Sequence, residues 1–349
     1  MKRTLSKSEI YSLARLSSLF TTGGGAPLDF QNENIDCLPD NAAVELWSLD
    51  EFAADDYLVL AHEVGLADAP IIEKKDSVRR MISMLEKLTG KKISGIYASE
   101  LGQESIVFET AFLAGLPVAD FDLAGSRAKP CVDINTLNAL GIHDKNFISP
   151  AVCLTSDDEI FCFEGSDSEA KNERALRKMT QLSDTKLVFV LDALVRAGDV
   201  ANTLADNKSF SKAMTFSNVK TVEELQHILN PKYTISGKVE KFSAINAAGF
   251  NAYHAVFRTA GGDTLNFVII NELLYVLDSN NQYLYQLPDR MIMIKNDTYP
   301  LQGCHSKSLI AGQSITLMVL DAEPAWQTER GAKICRRDRF KDILERIKL

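Results

Sequence analysis

The pattern of secondary-structure signals changes once along this chain, near Pro231, and that change limits the fold more than any single motif. Before it, strand-like runs alternate with amphipathic helices. VELW (44–47), YLVLAH (57–62), ISGIYA (93–98) and LPVADFD (116–122) are the strand-like runs. A capping box of Ser6 and Glu9 opens a helix whose apolar face is Ile10, Leu13, Leu16 and Phe20. A second helix carries Val78, Met81, Leu85 and Leu88 and stops at Gly90; a third, QESIVFETAFLAG, stops at Gly115. Such alternation builds a parallel sheet with helices on its faces. AVCLTSDDEIFCFEG (151–165) reads as a hairpin turning at Ser156–Asp158. A helix, the strand KLVFVLD (186–192) and helical segments around 199–216 and 221–229 follow.

From Pro231 six strand-like segments come at short intervals, with Gly261–Gly262 and Asn280–Asn281 as turns, predicting a β-rich module over about 232–322. The tail KICRRDRFKDILERIKL reads as a short closing helix. At 349 residues the chain exceeds what one hydrophobic core usually holds. The expected architecture is an α/β N-terminal domain with a mainly parallel sheet (1–165), then a C-terminal α+β domain (166–349) containing the β-rich module.

Charge and cysteine usage exclude several functions. The net charge is −9 and Lys and Arg form no basic block, so nothing here would neutralise a phosphate backbone. No apolar run approaches the roughly 18 residues of a membrane helix, and the first twenty residues lack a secretory pattern. Cys37, Cys131, Cys153, Cys162, Cys304 and Cys335 are scattered without a C-x-x-C pair, as reduced thiols of a cytoplasmic protein would be. His62, His143, His227, His254 and His305 lack the spacing of a helical zinc site. Cys304–His305 are adjacent, and on a strand they would point to opposite sides. The expected partner is a small molecule, not nucleic acid or membrane. Strand edges in the β-rich module leave a homo-oligomer open.

In open α/β sheets ligands bind beyond the carboxyl ends of the strands. Those ends carry acids here: Glu63 with Gly65, Glu100 with Gly102, Asp120 with Asp122, and Asp192. Asp120 and Asp122 would point to one side of their strand, where they could share a proton, hold a cation or position a substrate N–H. The competing reading is that each acid caps the next helix. Arg127 lies just beyond and would either grip a substrate carboxylate or pair with one of these acids. Gly23–Gly25 follow the first helix. They either stop it or open backbone N–H groups onto a concavity suited to an anion or a polar heterocycle. No P-loop or G-x-G-x-x-G nucleotide motif is present, and the rim acids leave a divalent metal open as a cofactor.

The segments TTGGGAP, EVGLADAPIIEK, ASELGQES, GLPVADFDLAGSRAKP, GKVEKF, NFVIINELLYVLD, LPDRMIMI and EPAWQTERG occur in this order across residues 10–331. Together they resemble the S-methyl-thiohydantoin desulfurase family, found beside hydantoinase and oxoprolinase genes. The resemblance implies an N-terminal α/β domain, a C-terminal domain with the β-rich module, and action on a five-membered thiohydantoin or hydantoin-like ring. It also implies that the glycine run and the Glu100 and Asp120–Arg127 segments line one site; there Glu100 or Asp120 would activate water, Asp122 would be the second acid, and Gly23–Gly25, Gly65, Gly102 and Arg127 would contact substrate. The chain departs from the family pattern at Gln103–Ser105, Lys129–Cys131 and Cys335–Arg337. Two functions follow: a hydrolase cleaving a carbon–sulfur or ring carbon–nitrogen bond, or a non-catalytic small-molecule binder that kept the fold.

Overall fold

The computed structural model describes residues 1–65, 69–129, 131, 134–142, 148–166, 168–204, 207–247 and 250–347. His143, Pro130 and part of the segment GLADAP, named above, lie outside the described residues.

The chain begins with β1 (Lys2–Ser6) and α1 (Lys7–Ser18), and Ser6 and Glu9 close the expected capping box. Next come α2 (Leu28–Asp36), β2 (Ala43–Trp47), β3 (Tyr57–Gly65), α3 (Ser77–Thr89), β4 (Ile93–Ala98), α4 (Glu104–Ala114) and β5 (Val118–Asp122). After the short α5 (Thr136–Leu140), the hairpin β6 (Ala151–Thr155) and β7 (Ile160–Phe163) forms as the sequence predicts. Then follow α6 (Glu169–Met179), β8 (Leu187–Arg196), α7 (Ala197–Leu204), α8 (Ser209–Met214) and α9 (Val222–Leu229).

These strands make one eight-stranded sheet in the order β1-β2-β5-β4-β3-β8-β6-β7. β2, β5, β4 and β3 run parallel, and antiparallel strands flank them on both sides. The expected parallel core is therefore the centre of a mixed sheet. β8 takes the sheet past residue 165. Alternation along β3 shows how the faces divide. Val59 and Ala61 join the core under α1–α4, whereas Leu58 and Leu60 join a second core with Phe52, Leu137 and Val200. α4 is the central helix: Glu104 through Ala111 are all buried, which explains its lack of a polar face.

The second sheet comprises β9 (Tyr233–Ala247), β10 (Phe250–Thr259), β11 (Thr264–Ile270), β12 (Glu272–Leu277), β13 (Tyr283–Gln286), β14 (Arg290–Lys295) and β15 (Ser314–Leu320). Its order is β13-β12-β11-β10-β9-β15-β14, antiparallel throughout. The sheet forms a half-barrel around Phe257, Phe267, Ile269, Leu273 and Leu317. One expected strand is really two. LNFVIINELLYVLD breaks at Asn271, whose φ of 59° makes the tight reversal between β11 and β12. The tail is also divided, into α10 (Glu329–Ile334), a short tight turn and α11 (Lys341–Ile347). Ile292, Ile294 and Met318 of this sheet pack into the same core as Leu16 and Leu19, so the domains share apolar contact along α1. Among the described residues no helix is long and apolar enough to cross a membrane.

Candidate functional site

Between the two domains lies a cavity of about 170 Å³. The first domain contributes the Gly24–Pro27 loop, the end of β3 from His62 to Gly65, and Glu100 and Gln103 beyond β4. The second contributes Glu173 and Arg177 from α6, Asn271 and Glu272 at the β11–β12 reversal, and His305 and Ser306.

The glycine loop is shaped by close approach. Thr22, Gly23 and Gly25 have φ of 54°, 86° and 71°, the region where side chains are disfavoured. A Cβ on Gly24 would sit 2.2 Å from Glu272 Oε1, and one on Gly25 would sit 2.9 Å from the Gly102 Cα. The loop is tied to both domains. Ala26 N–H donates to Gly102 O at 2.8 Å, Ser306 N–H to Gly23 O at 2.7 Å, and Leu273 N–H to Thr22 O at 2.8 Å. His305 completes the fastening: its Nδ1 accepts from Lys307 N–H and its Nε2 lies 3.1 Å from Gly25 O, each distance being 3.1 Å. With Nδ1 accepting, Nε2 carries the proton and donates. Burial depresses this imidazole to about 4, so it stays neutral.

Two acids on opposite domains share the cavity. Glu100 is 8 % exposed and accepts from Lys129 N–H at 2.9 Å through Oε2. Burial raises its pKa to about 7, against the pull of the Lys129 ammonium and that N–H bond. Glu272 is 1 % exposed, and its Oε2 has no hydrogen-bond partner among the described residues. Burial first, then the charge of Glu100, lifts it well above the usual carboxylate range. Burial thus raises both carboxyls, and a negative charge on Glu100 opposes ionisation of Glu272. Beside them His62 Nε2 lies 3.1 Å from Asp192 Oδ2, both side chains buried.

The structure divides the residues singled out in the sequence. Gly24, Gly25, Gly65 and Glu100 line the cavity. Gly23 packs under it against Met293 and Ser306, and Gly102 backs onto Gly25. Asp120, Asp122 and Arg127, expected at the same site, are not on the walls of this cavity. Asp120 and Asp122 do share a side of β5, but α8 occupies that side. Asp120 Oδ1 accepts from Phe210 N–H at 2.9 Å and Ser211 N–H at 3.2 Å. Asp122 accepts from Ala124 N–H at 2.7 Å, from Ser126 N–H at 2.8 Å and from the Ser209 hydroxyl. Burial still raises both, Asp122 to about 6. Asp120 thus holds the start of α8 and Asp122 also ties down the turn after β5, whereas the next helix, α5, is capped by Asn135. Arg127 pairs with neither acid. It donates to Ala128 O at 3.0 Å and, across the domains, to Pro288 O at 2.7 Å. Its positive charge nevertheless reaches Glu272 and opposes the rise in that carboxyl's pKa.

Glu272, Lys129 and His305 escaped the sequence reading as site residues. Asn271–Glu272 is the polar break in an otherwise apolar run, and that break was the available signal for Glu272. Among the described residues no group of three or more His, Cys, Asp or Glu side chains is placed to hold a metal ion.

The fold and cavity define a two-domain α/β protein with a small polar cleft between its domains. Residues 9–165 match the family model described as S-Me-THD-like, N-terminal domain, and residues 171–342 match the S-Me-THD-like, C-terminal domain. The chain belongs to the S-Me-THD-like family. It is similar in fold to a protein from Chromobacterium violaceum solved by X-ray crystallography in a structural genomics programme. That similarity has a TM-score of 0.78 at 19 % identity and covers 98 % of this chain and 97 % of the other. No curated protein matches the chain.

Proposed function

We propose that this chain is a hydrolase acting on a five-membered thiohydantoin or hydantoin-like ring held in the interdomain cavity. The observation that carries the reading is the pair Glu100 and Glu272, two buried carboxyls on the walls of one cavity, where the charge of Glu100 opposes ionisation of Glu272. Family membership agrees with it.

In this mechanism ionised Glu100 takes a proton from water as the oxygen adds to the ring carbon between the two nitrogens. Protonated Glu272 gives its proton to the departing sulfur, or to ring nitrogen where the carbon–nitrogen bond is cleaved. Lys129 steadies Glu100, the glycine loop keeps Glu272 in place, and Asp120 and Asp122 take no part. General acid–base assistance of this kind is worth about 10²–10⁴ in rate.

The test is product analysis with S-methyl-thiohydantoin, thiohydantoin and hydantoin. The expected results are conversion by the wild type, a rate rising as pH passes about 7 through Glu100, and turnover lost in both Glu100→Gln and Glu272→Gln. Full turnover in either variant refutes the mechanism. Thermal stabilisation by these compounds without conversion makes the chain a binding protein instead.

A further inference from the structure

A third carboxyl on the cavity wall shares its cation with another acid. Glu63 lies near the end of β3 with its side chain 5 % exposed. Its Oε1 is 3.0 Å from the Lys74 ammonium, and that same ammonium is 2.8 Å from Glu109 Oε2. Burial alone would discharge Lys74; the two carboxylates outweigh it and hold the proton on. One cation thus serves two acids. The other cations around the cavity are engaged: Arg177 Nη2 lies 2.7 Å from Glu173, and Lys129 acts on Glu100 and Glu272.

Two acceptors on the cavity walls are also unmet. Glu63 Oε2 and Gln103 Oε1 have no hydrogen-bond partner among the described residues, and both residues line the cavity. Buried acceptors of this kind are costly until a donor reaches them. A carboxyl-bearing ligand would add a negative charge beside Glu63, and an alkyl-bearing one would leave both oxygens unpaired.

Building on the ring-binding reading above, we propose that the ligand carries a protonated nitrogen substituent, which docks on Glu63 Oε2 while a ring N–H meets Gln103 Oε1. Lys74 then acts as a positioning residue, fixing Glu63 from behind while leaving one oxygen for the ligand.

Calorimetric binding to hydantoins with an aminoalkyl, an alkyl or a carboxyalkyl arm tests this, with butylammonium as a ring-free probe. A charge-assisted hydrogen bond predicts about ten- to hundredfold tighter binding of the aminoalkyl compound than of the alkyl one. Glu63→Gln should erase that preference, and Glu63→Asp, which keeps the charge, should retain part of it. Equal wild-type affinities, or a preference intact in Glu63→Gln, overturn the proposal while leaving the ring reading in place. Glu63-dependent binding of butylammonium without binding of any ring upholds the cation site and rejects the ring. Binding of neither rejects both.

Discussion

Glu100→Gln should make the protein more stable as pH rises, and the size follows from the burial of one carboxyl. In the folded chain Glu100 is raised from 4.5 to about 7. A unit of pKa is about 1.36 kcal/mol, so ionising this group costs the folded state about 3 kcal/mol. The direction follows from proton binding. A carboxyl raised by folding binds its proton more tightly in the native state. Its contribution is therefore fully present below the unfolded value, falls as pH rises towards 7, and is gone above that. Glutamine has nearly the same shape and no proton to lose. Between pH of about 5 and 8.5 the stability difference should move by about 2–3 kcal/mol in favour of the variant. Paired urea titrations of wild type and variant across that range measure it. The exposure of Glu100, 8 %, leaves little solvent to screen the charge, so the effect should survive moderate salt. Parallel pH curves for the two proteins would refute the argument, because they would mean that the cavity does not desolvate its acid.

Gly24→Ala places a Cβ 2.2 Å from Glu272 Oε1 and 2.5 Å from its Cγ, so the carboxyl must move. Stability should drop by about 1–3 kcal/mol, with turnover falling at least about tenfold; a variant matching the wild type in both would remove the loop's assigned role. Asp122→Asn puts an amide where two backbone N–H groups and a hydroxyl now donate. Melting should reveal a loss of about 1–3 kcal/mol while turnover at saturating substrate stays at the wild-type level; turnover abolished in a folded variant would return Asp122 to the reaction.

What could be read in advance follows from the range over which each signal acts. The capping box, the stops at Gly90 and Gly115 and the hairpin at 151–165 are local, and each appears where the sequence puts it. Asp120 and Asp122 were also assigned correctly to one side of a strand. What covers that side was invisible, because α8 arrives from residues about ninety positions away. The same two-residue period that gave the pair its promise places it under a helix rather than in a cleft. Glu272 shows the complementary difficulty. In a continuous strand it would be one polar residue in an apolar run, whereas the reversal at Asn271 turns it into a residue at the domain boundary. A left-handed asparagine is a legible cue, but its consequence depends on which loop meets the turn. Here that loop is the glycine run, and a side chain at Gly24 would occupy the position of the Glu272 carboxyl. The three glycines and the acid are therefore parts of one arrangement: the helix ends where the backbone must be bare, so that a carboxyl from the other domain can reach the cavity.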